Sequence, residues 1–293
     1  MTHPRICIVG GGPAGMAAAM QLQRYGLNPT LYEANELGGL LRNANLVENY
    51  PGFPGGIKGE ALAGLFRQQI EQFGVNVENE AVSRILSTER GFALEFAQNV
   101  KECDLLILAT GTKPICLSEN LLEDGLSNRV RYEVVELRES CDKCIAIIGA
   151  GDAAFDYALQ LAVNNDVMIF NRSERIRALK PLVSRVEAHP RIEYRSNSEM
   201  RAIAATEDGR LELRWTSASG ELVETVDELL CALGREPNLD CVSKELAMSL
   251  PHLQESEALF IIGDLGNDRY RQTSIAVADG IRVAMRIWER MER

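Results

Sequence analysis

The sequence predicts an α/β protein of two doubly wound, three-layer domains, each built on a parallel sheet, and three observations carry that expectation. First, Ile6-Cys-Ile-Val-Gly-Gly-Gly-Pro-Ala-Gly15 leads into an Ala-rich helical stretch (16–25) and then Thr30-Leu-Tyr-Glu33. Second, Ile145-Ala-Ile-Ile-Gly-Ala-Gly-Asp-Ala-Ala154 leads into a helical stretch (155–163) and then Val167-Met-Ile-Phe170. Each reads strand, glycine turn, helix, strand, the βαβ unit of a parallel sheet. Third, 293 residues with 46% hydrophobic and 25% charged content are enough for two cores, at roughly 100–200 residues per domain. The two motifs lie 139 residues apart, Gly10 to Gly149, which is too long for a solenoid repeat and suits two related domains.

The glycine turns carry the chemistry. Gly10 permits the tight turn out of the first strand, Gly12 lets the backbone approach a pyrophosphate, and Gly15 lets helix and strand pack closely. The helix start then offers free N–H groups and a positive dipole end to phosphate. Pro13 suits the first helical turn, where N–H groups have no intrahelical partner. The second copy has Gly149 and Gly151, with Ala154 in the third position and Asp152 and Ala153 between. Glu33 lies 23 residues after Gly10, where an acid binds ribose hydroxyls. The 139-residue offset places Arg172 opposite it in the second copy, with Arg177 nearby. An arginine there receives a 2′-phosphate, which an acid would repel.

The balance of 42 acidic to 31 basic residues gives a net charge of −11, which argues against nucleic acid and anionic membrane as partners. Met1-Thr-His-Pro-Arg5 runs directly into the first strand, so no signal peptide is expected. Apolar runs such as Leu105–Ala109 are far shorter than a membrane span. Seven cysteines (7, 103, 116, 141, 144, 231, 241) are an odd, scattered set, suiting reduced thiols in a cytoplasmic enzyme. The three histidines (3, 189, 252) are isolated, so neither a catalytic triad nor a metal site is expected.

With these motifs in place, the chain resembles the low-molecular-weight thioredoxin reductase family of flavoproteins. The resemblance runs over nearly the whole length, through Gly10–Gly15, Gly38-Gly39, Val47-Glu-Asn-Tyr-Pro-Gly-Phe53, Ala109-Thr-Gly111, the second glycine motif, Ala232-Leu-Gly-Arg-Glu-Pro-Asn238, Gly263-Asp264 and Tyr270-Arg-Gln272. It implies two Rossmann-like ββα dinucleotide-binding domains, an NAD(P)-binding domain (114–243) inserted into a discontinuous FAD-binding domain (1–113 plus 244–293). It further implies that FAD is held by Gly10, Gly12, Pro13, Ala14, Gly15, Glu33, Gly39, Leu41, Asn49, Val82, Ala109, Thr110, Gly111, Gly263, Asp264, Arg271, Gln272 and Thr273. Gly149, Gly151, Asp152, Ala153, Ala154, Arg172 and Arg177 would hold the nicotinamide cofactor, NADPH ahead of NADH. A homodimer is implied on the same ground.

The chain departs from that family at its defining feature. Thioredoxin reductases carry a Cys-x-x-Cys pair about a dozen residues before the second nucleotide-binding strand, and counting back from Gly149 puts those positions on Tyr132 and Val135. Neither side chain exchanges with a disulfide, and Tyr132 would stand by the flavin where the disulfide lies. A different pair, Cys141-Asp-Lys-Cys144, sits at the amino edge of the strand, whereas cofactors sit at carboxyl ends. Cys141 and Cys144 are read as ordinary thiols, with a redox dithiol and half of a zinc site as alternatives. Arg131-Tyr-Glu-Val-Val135 and Asp152-Ala-Ala-Phe-Asp156 look more like the related ferredoxin/flavodoxin–NADP reductases. The family's His-Arg-Arg-x-x-x-Arg stands here as Asn171-Arg-Ser-Glu-Arg-Ile-Arg177, in which Ser173 cannot grip phosphate as an arginine does.

The expected function is therefore hydride transfer from NAD(P)H to FAD and on to an acceptor other than a flavin-facing disulfide, such as ferredoxin, flavodoxin or a small molecule. The alternatives are a disulfide reductase using Cys141 and Cys144, and a flavin-binding protein with little turnover or with a non-nicotinamide ligand, such as a second FAD, in the second site.

Overall fold

A computed structural model describes residues 4–292; His3 and the rest of the extreme N-terminus lie outside the described residues. The chain divides into two compact units, one of residues 1–42, 47–113 and 237–293, the other of residues 43–46 and 114–236.

The first unit opens with strand β1 (Ile6–Val9), helix α1 (Pro13–Arg24) and strand β2 (Thr30–Tyr32). All four residues of β1 are buried, as expected for a strand covered on both faces of a parallel sheet. Pro13 stands in the first turn of α1, and the Ala-Ala-Ala run behind it is buried, because small side chains let a helix lie close to its sheet. Helix α2 (Gly59–Gln72) and strand β3 (Asn76–Glu78) follow. Strands β4 (Arg84–Thr88), β5 (Gly91–Glu95) and β6 (Val100–Cys103) form an antiparallel ribbon. The fully buried β7 (Leu105–Leu108) then returns to the parallel sheet, and β8 (Thr112–Pro114) carries the chain out of the unit.

The second unit repeats the plan. Strand β9 (Val130–Arg131) precedes β10 (Cys144–Ile148), α3 (Asp152–Leu161), β11 (Asp166–Phe170), α4 (Lys180–Glu187) and β12 (Ile192–Arg195). A meander of β13 (Glu199–Ala205), β14 (Leu211–Ser217) and β15 (Gly220–Val226) packs over one face, and β16 (Glu228–Cys231) completes the parallel sheet in the order β12-β11-β10-β16-β9. Phe170, Trp215 and Leu229 share the core beneath the meander, while Phe155, Leu161 and Ile147 fill the core under α3.

After β17 (Arg235–Pro237) the chain rejoins the first unit through α5 (Lys244–Glu255), β18 (Leu259–Ile261) and α6 (Thr273–Glu292). The first sheet then reads β18-β7-β1-β2-β3. Gly280 sets the α1–α6 packing: a Cβ there would lie 2.3 Å from the Ala14 carbonyl oxygen. Tyr25 and Trp288 stack with centroids 4.9 Å apart. The compact first unit takes in Pro237–Ser243, which the sequence reading grouped with the inserted domain. Hydrogen bonds from Asn238 N–H to the Gly111 carbonyl and from Ile85 N–H to the Cys241 carbonyl hold that stretch in place.

Candidate functional site

The first glycine turn leaves β1 with Gly10 at φ +110°, where a Cβ would lie 2.3 Å from the Ala109 carbonyl oxygen. A Cβ on Gly15 would lie 1.9 Å from the Gly10 carbonyl oxygen, so the turn closes only with glycine at both places. Gly12 differs: a Cβ there would meet nothing within 4 Å. Gly12 caps α1 without a side-chain hydrogen bond, and no acid stands in the first helical turn. The result is an open, electropositive face of free N–H groups, which fits a pyrophosphate. The Gly38-Gly39 turn crosses this loop, with Gly38 N–H donating to the Gly11 carbonyl at 2.9 Å and a Gly39 Cβ only 3.1 Å from Gly12 Cα. Glu33, just past β2, accepts from the Gly11 N–H at 2.6 Å and from the Asn35 N–H at 2.9 Å, which fixes its carboxylate at the mouth of the turn.

Some of the other residues expected to bind FAD follow strands β7 and β18 of the same sheet. Ala109, Thr110 and Gly111 follow β7, and the Thr110 hydroxyl donates to the Asn238 carbonyl at 2.6 Å. Gly263 follows β18 at φ +66°, where a Cβ would lie 2.7 Å from that of Ala14. Half-buried Asp264 sits in the short helical turn after it. Leu41 is buried in the turn Gly39–Asn43. Asn49 donates through Nδ2 to Gln272 Oε1 at 2.7 Å, joining two motifs far apart in sequence, and Arg271 and Thr273 flank Gln272 at the start of α6. Val82 instead packs against the apolar cluster that holds Tyr32 and Leu106.

The second turn repeats the geometry. Gly149 has φ +143°, and a Cβ would lie 2.3 Å from the Ala232 carbonyl oxygen, while Gly151 again faces open space. Asp152 begins α3 and accepts from the Leu179 N–H at 2.7 Å; Ala153 is exposed beside it and Ala154 is buried. The equivalence drawn from the 139-residue offset is off by one residue. Gly10 N–H donates to the Tyr32 carbonyl, and Gly149 N–H donates to the Phe170 carbonyl. Those spans are 22 and 21 residues (32 − 10; 170 − 149), because the second copy has one residue fewer between its turn and the end of its second strand. Asn171, not Arg172, therefore matches Glu33. Asn171 is buried and committed to the fold, donating to the Arg175 carbonyl at 3.1 Å and the Tyr194 hydroxyl at 2.8 Å. Arg172 and Arg177 are exposed, and the Arg177 N–H donates to the Ala150 carbonyl at 2.9 Å, which ties that arginine to the turn.

Tyr132 is half-buried, and its hydroxyl accepts from the Leu117 N–H at 3.0 Å. Burial raises its pKa above the ordinary phenol value. The neighbouring Glu133 accepts from Asn43 Nδ2 and, at 2.7 Å, from Arg235 Nη1, while Val134 is fully buried. This corner is packed and hydrogen-bonded. Cys144 begins β10 with its N–H bound to Asp227 at 2.8 Å. Its thiol is pushed up by burial, and that of Cys141 by its hydrogen bond to Asp142; a redox dithiol needs the opposite direction. Sequence reasoning missed the exposed Cys116, which precedes the Leu117 amide bound to the Tyr132 hydroxyl. It also missed Asn43, which reaches Glu133 across 90 positions. Nothing local in sequence announces either contact. Among the described residues, no group of three or more His, Cys, Asp or Glu is placed to hold a metal ion, and no helix is long and apolar enough to cross a membrane.

Each parallel sheet thus carries a glycine turn at its carboxyl edge, with Glu33 held beside the first and exposed Arg172 and Arg177 following the second. The sequence profile of the pyridine nucleotide-disulphide oxidoreductase family matches residues 4–280. The chain is 31% identical over 313 aligned positions to the thioredoxin reductase of Yarrowia lipolytica, covering 97% of each. It superimposes on thioredoxin reductase from Lactococcus lactis (TM-score 0.84, 23% identity, 98% of each chain) and on that from T. acidophilum (TM-score 0.84, 22% identity, 100% of each). The chain belongs to the pyridine nucleotide-disulphide oxidoreductase family and is an FAD-dependent NAD(P)H oxidoreductase of the thioredoxin reductase type, a group that uses FAD and NADPH.

Proposed function

We propose that the chain oxidises NADPH and passes the electrons to an acceptor other than a flavin-facing disulfide, either a small ferredoxin- or flavodoxin-like protein or a small molecule. The observation that carries this reading is the corner at Tyr132–Val135. At the two positions reached by counting back from Gly149 without gaps, where the resemblance would put cysteines, this chain has a tyrosine bound to the Leu117 amide and a valine beside buried Val134. The other Cys-x-x-Cys pair stands at the amino edge of β10, with both thiols raised.

The open face at Gly12 and the free N–H groups of α1 would hold the FAD pyrophosphate, and Glu33 the adenosine ribose. Asn49, Asp264 and Gln272 would orient the rest of the cofactor. Bound FAD supplies the two-electron chemistry that links NADPH to the acceptor. Gly151 and the start of α3 would take the NADPH pyrophosphate, and exposed Arg172 and Arg177 would hold its 2′-phosphate. Asp152 is held on the Leu179 amide, which turns its charge toward a backbone donor. A cytoplasmic homodimer is the setting proposed for this activity.

The name carried by the relatives favours a second reading, a disulfide reductase. The two are separated by following NADPH oxidation with ferredoxin, flavodoxin, quinone, oxygen and thioredoxin as acceptors, in the native protein and in a Cys141→Ser/Cys144→Ser variant. Turnover with a non-disulfide acceptor, equal in both proteins, is expected. Turnover confined to thioredoxin and lost in the variant would overturn the proposal.

A further inference from the structure

Three cations stand unpaired in the second unit, on the loop that follows β11. Arg172, Arg175 and Arg177 are all exposed, and among the described residues none of them pairs with a carboxylate. By contrast Arg191, just before β12, is paired with Asp166, and Arg195, its last residue, with Glu193. Two acids of this region are occupied by neutral donors. Glu174 Oε1 accepts from Asn197 Nδ2 at 3.2 Å, and Asp152 from the Leu179 N–H at 2.7 Å. In a chain of net charge −11, a run of arginines left open in this way suits an anion. The loop is also held in one shape, and Asn171 holds it. Its Oδ1 accepts from the Ser173 N–H at 3.2 Å, and its Nδ2 donates to the Arg175 carbonyl at 3.1 Å and the Tyr194 hydroxyl at 2.8 Å. Its backbone N–H donates to the Arg195 carbonyl, and its carbonyl accepts from the Ser198 N–H. Ile176 packs onto the core under α3, so Arg175 and Arg177 flank an inward side chain. The Arg177 N–H donates to the Ala150 carbonyl, inside the second glycine turn. Arg175 therefore lies within about 7 Å of chain from that contact, at the reach of two residues.

We propose that Arg175 is a specificity-determining residue for NADPH, a third cation on the 2′-phosphate beside Arg172 and Arg177, and that Asn171 is the positioning residue that sets all three, roles that rest on the second turn being the NADPH site. The family's His-Arg-Arg-x-x-x-Arg pattern leaves position 175 open and puts its second arginine at 173, where this chain has Ser173. Arg175 restores the missing charge from two residues further on. A phosphate monoester carries a charge of about −1.5 to −2 and three acceptor oxygens. It can therefore take charge-assisted hydrogen bonds from more than one guanidinium group. NADH has a neutral hydroxyl at the same place and gains nothing comparable. Asn171 acts on selectivity through the backbone. By holding the Ser173 amide and the Arg175 carbonyl at once, it fixes the bend from which the arginines project. The ordering of three long side chains' attachment points is then complete before the nucleotide arrives, which lowers the entropic cost of binding.

The test is calorimetric titration of the intact flavoprotein with adenosine 2′,5′-bisphosphate and with AMP, two probes that differ only in the 2′-phosphate and need no electron acceptor. The native protein should prefer the bisphosphate. Arg175→Ala, a change at an exposed position, should weaken bisphosphate binding by about tenfold or more and leave AMP binding as it was. Asn171→Ala should lose the same preference, with AMP binding and flavin content kept. Should that variant fail to fold, Tyr194→Phe removes one of the two acceptors of Asn171 Nδ2 and should lower the preference in the same direction. Loss of the preference in Arg172→Ala and Arg177→Ala but not in Arg175→Ala would overturn the proposal and leave the NADPH site standing. Equal affinity of the native protein for both probes would overturn the two together. A folded Asn171→Ala protein with native preference would remove Asn171 from the positioning role.

Discussion

The Gly11 amide donates a 2.6 Å hydrogen bond to the Glu33 carboxylate, and the place that Glu33 holds in the first unit belongs to Asn171 in the second. The same backbone plan thus ends in an acid on one side and a neutral, buried amide on the other. That difference separates a site suited to an unphosphorylated ribose from one whose rim can carry cations.

Replacing Glu33 with glutamine should weaken FAD binding. The variant keeps an acceptor for Gly11 but loses the charged acceptor for sugar hydroxyls, and charged hydrogen bonds are worth about 1.5–3 kcal/mol. Flavin absorbance per chain after extended dialysis should fall, and FAD affinity should drop by about tenfold or more. Full retention would remove Glu33 from the cofactor site.

Gly10→Ala and Gly149→Ala place the same Cβ against the same kind of carbonyl, 2.3 Å away in each case, at positive φ. The two variants should nevertheless fail differently. Gly10→Ala should purify with little FAD, whereas Gly149→Ala should keep its flavin and show a KM for NADPH raised by about tenfold or more. Identical defects in both would contradict the assignment of one nucleotide to each turn.

Arg172→Ala and Arg177→Ala should raise the KM for NADPH and leave NADH kinetics unchanged, because only NADPH carries the 2′-phosphate. Each charged contact removed is expected to give about a tenfold effect. The Arg177 backbone amide, which holds the Ala150 carbonyl, survives this substitution, so the turn itself should stay intact. Equal losses with both nucleotides would show that these arginines act on the fold.

Cys141 and Cys144 both have pKa values above that of an ordinary thiol. Alkylation requires the thiolate, so iodoacetamide labelling at these two positions should be slow at neutral pH. The rate should rise with pH to a midpoint above that of a free cysteine. Fast labelling at pH 7 would restore the redox-dithiol reading.

Much of this architecture was legible in the sequence because its signals are local. Gly10, Gly12, Gly15, Gly149 and Gly151 announce themselves by spacing, and the four buried residues of β1 by an unbroken apolar run. The pairing of Arg172 with Glu33 slipped by one because a fixed offset cannot register the residue missing before Phe170; only the matched hydrogen bonds of Gly10 and Gly149 reveal the slip. The Asn43–Glu133 contact was invisible for another reason: its partners lie 90 positions apart, and no pattern near either residue encodes that approach.

The central claim, an NADPH-reducible flavin with no disulfide in electronic contact with it, is tested most directly by anaerobic titration with NADPH while the flavin absorbance is followed. NADPH delivers two electrons and FAD accepts two, so the account predicts complete bleaching at one equivalent per flavin. Consumption of a second equivalent before bleaching is complete, or a flavin that stays oxidised in excess NADPH, would contradict it.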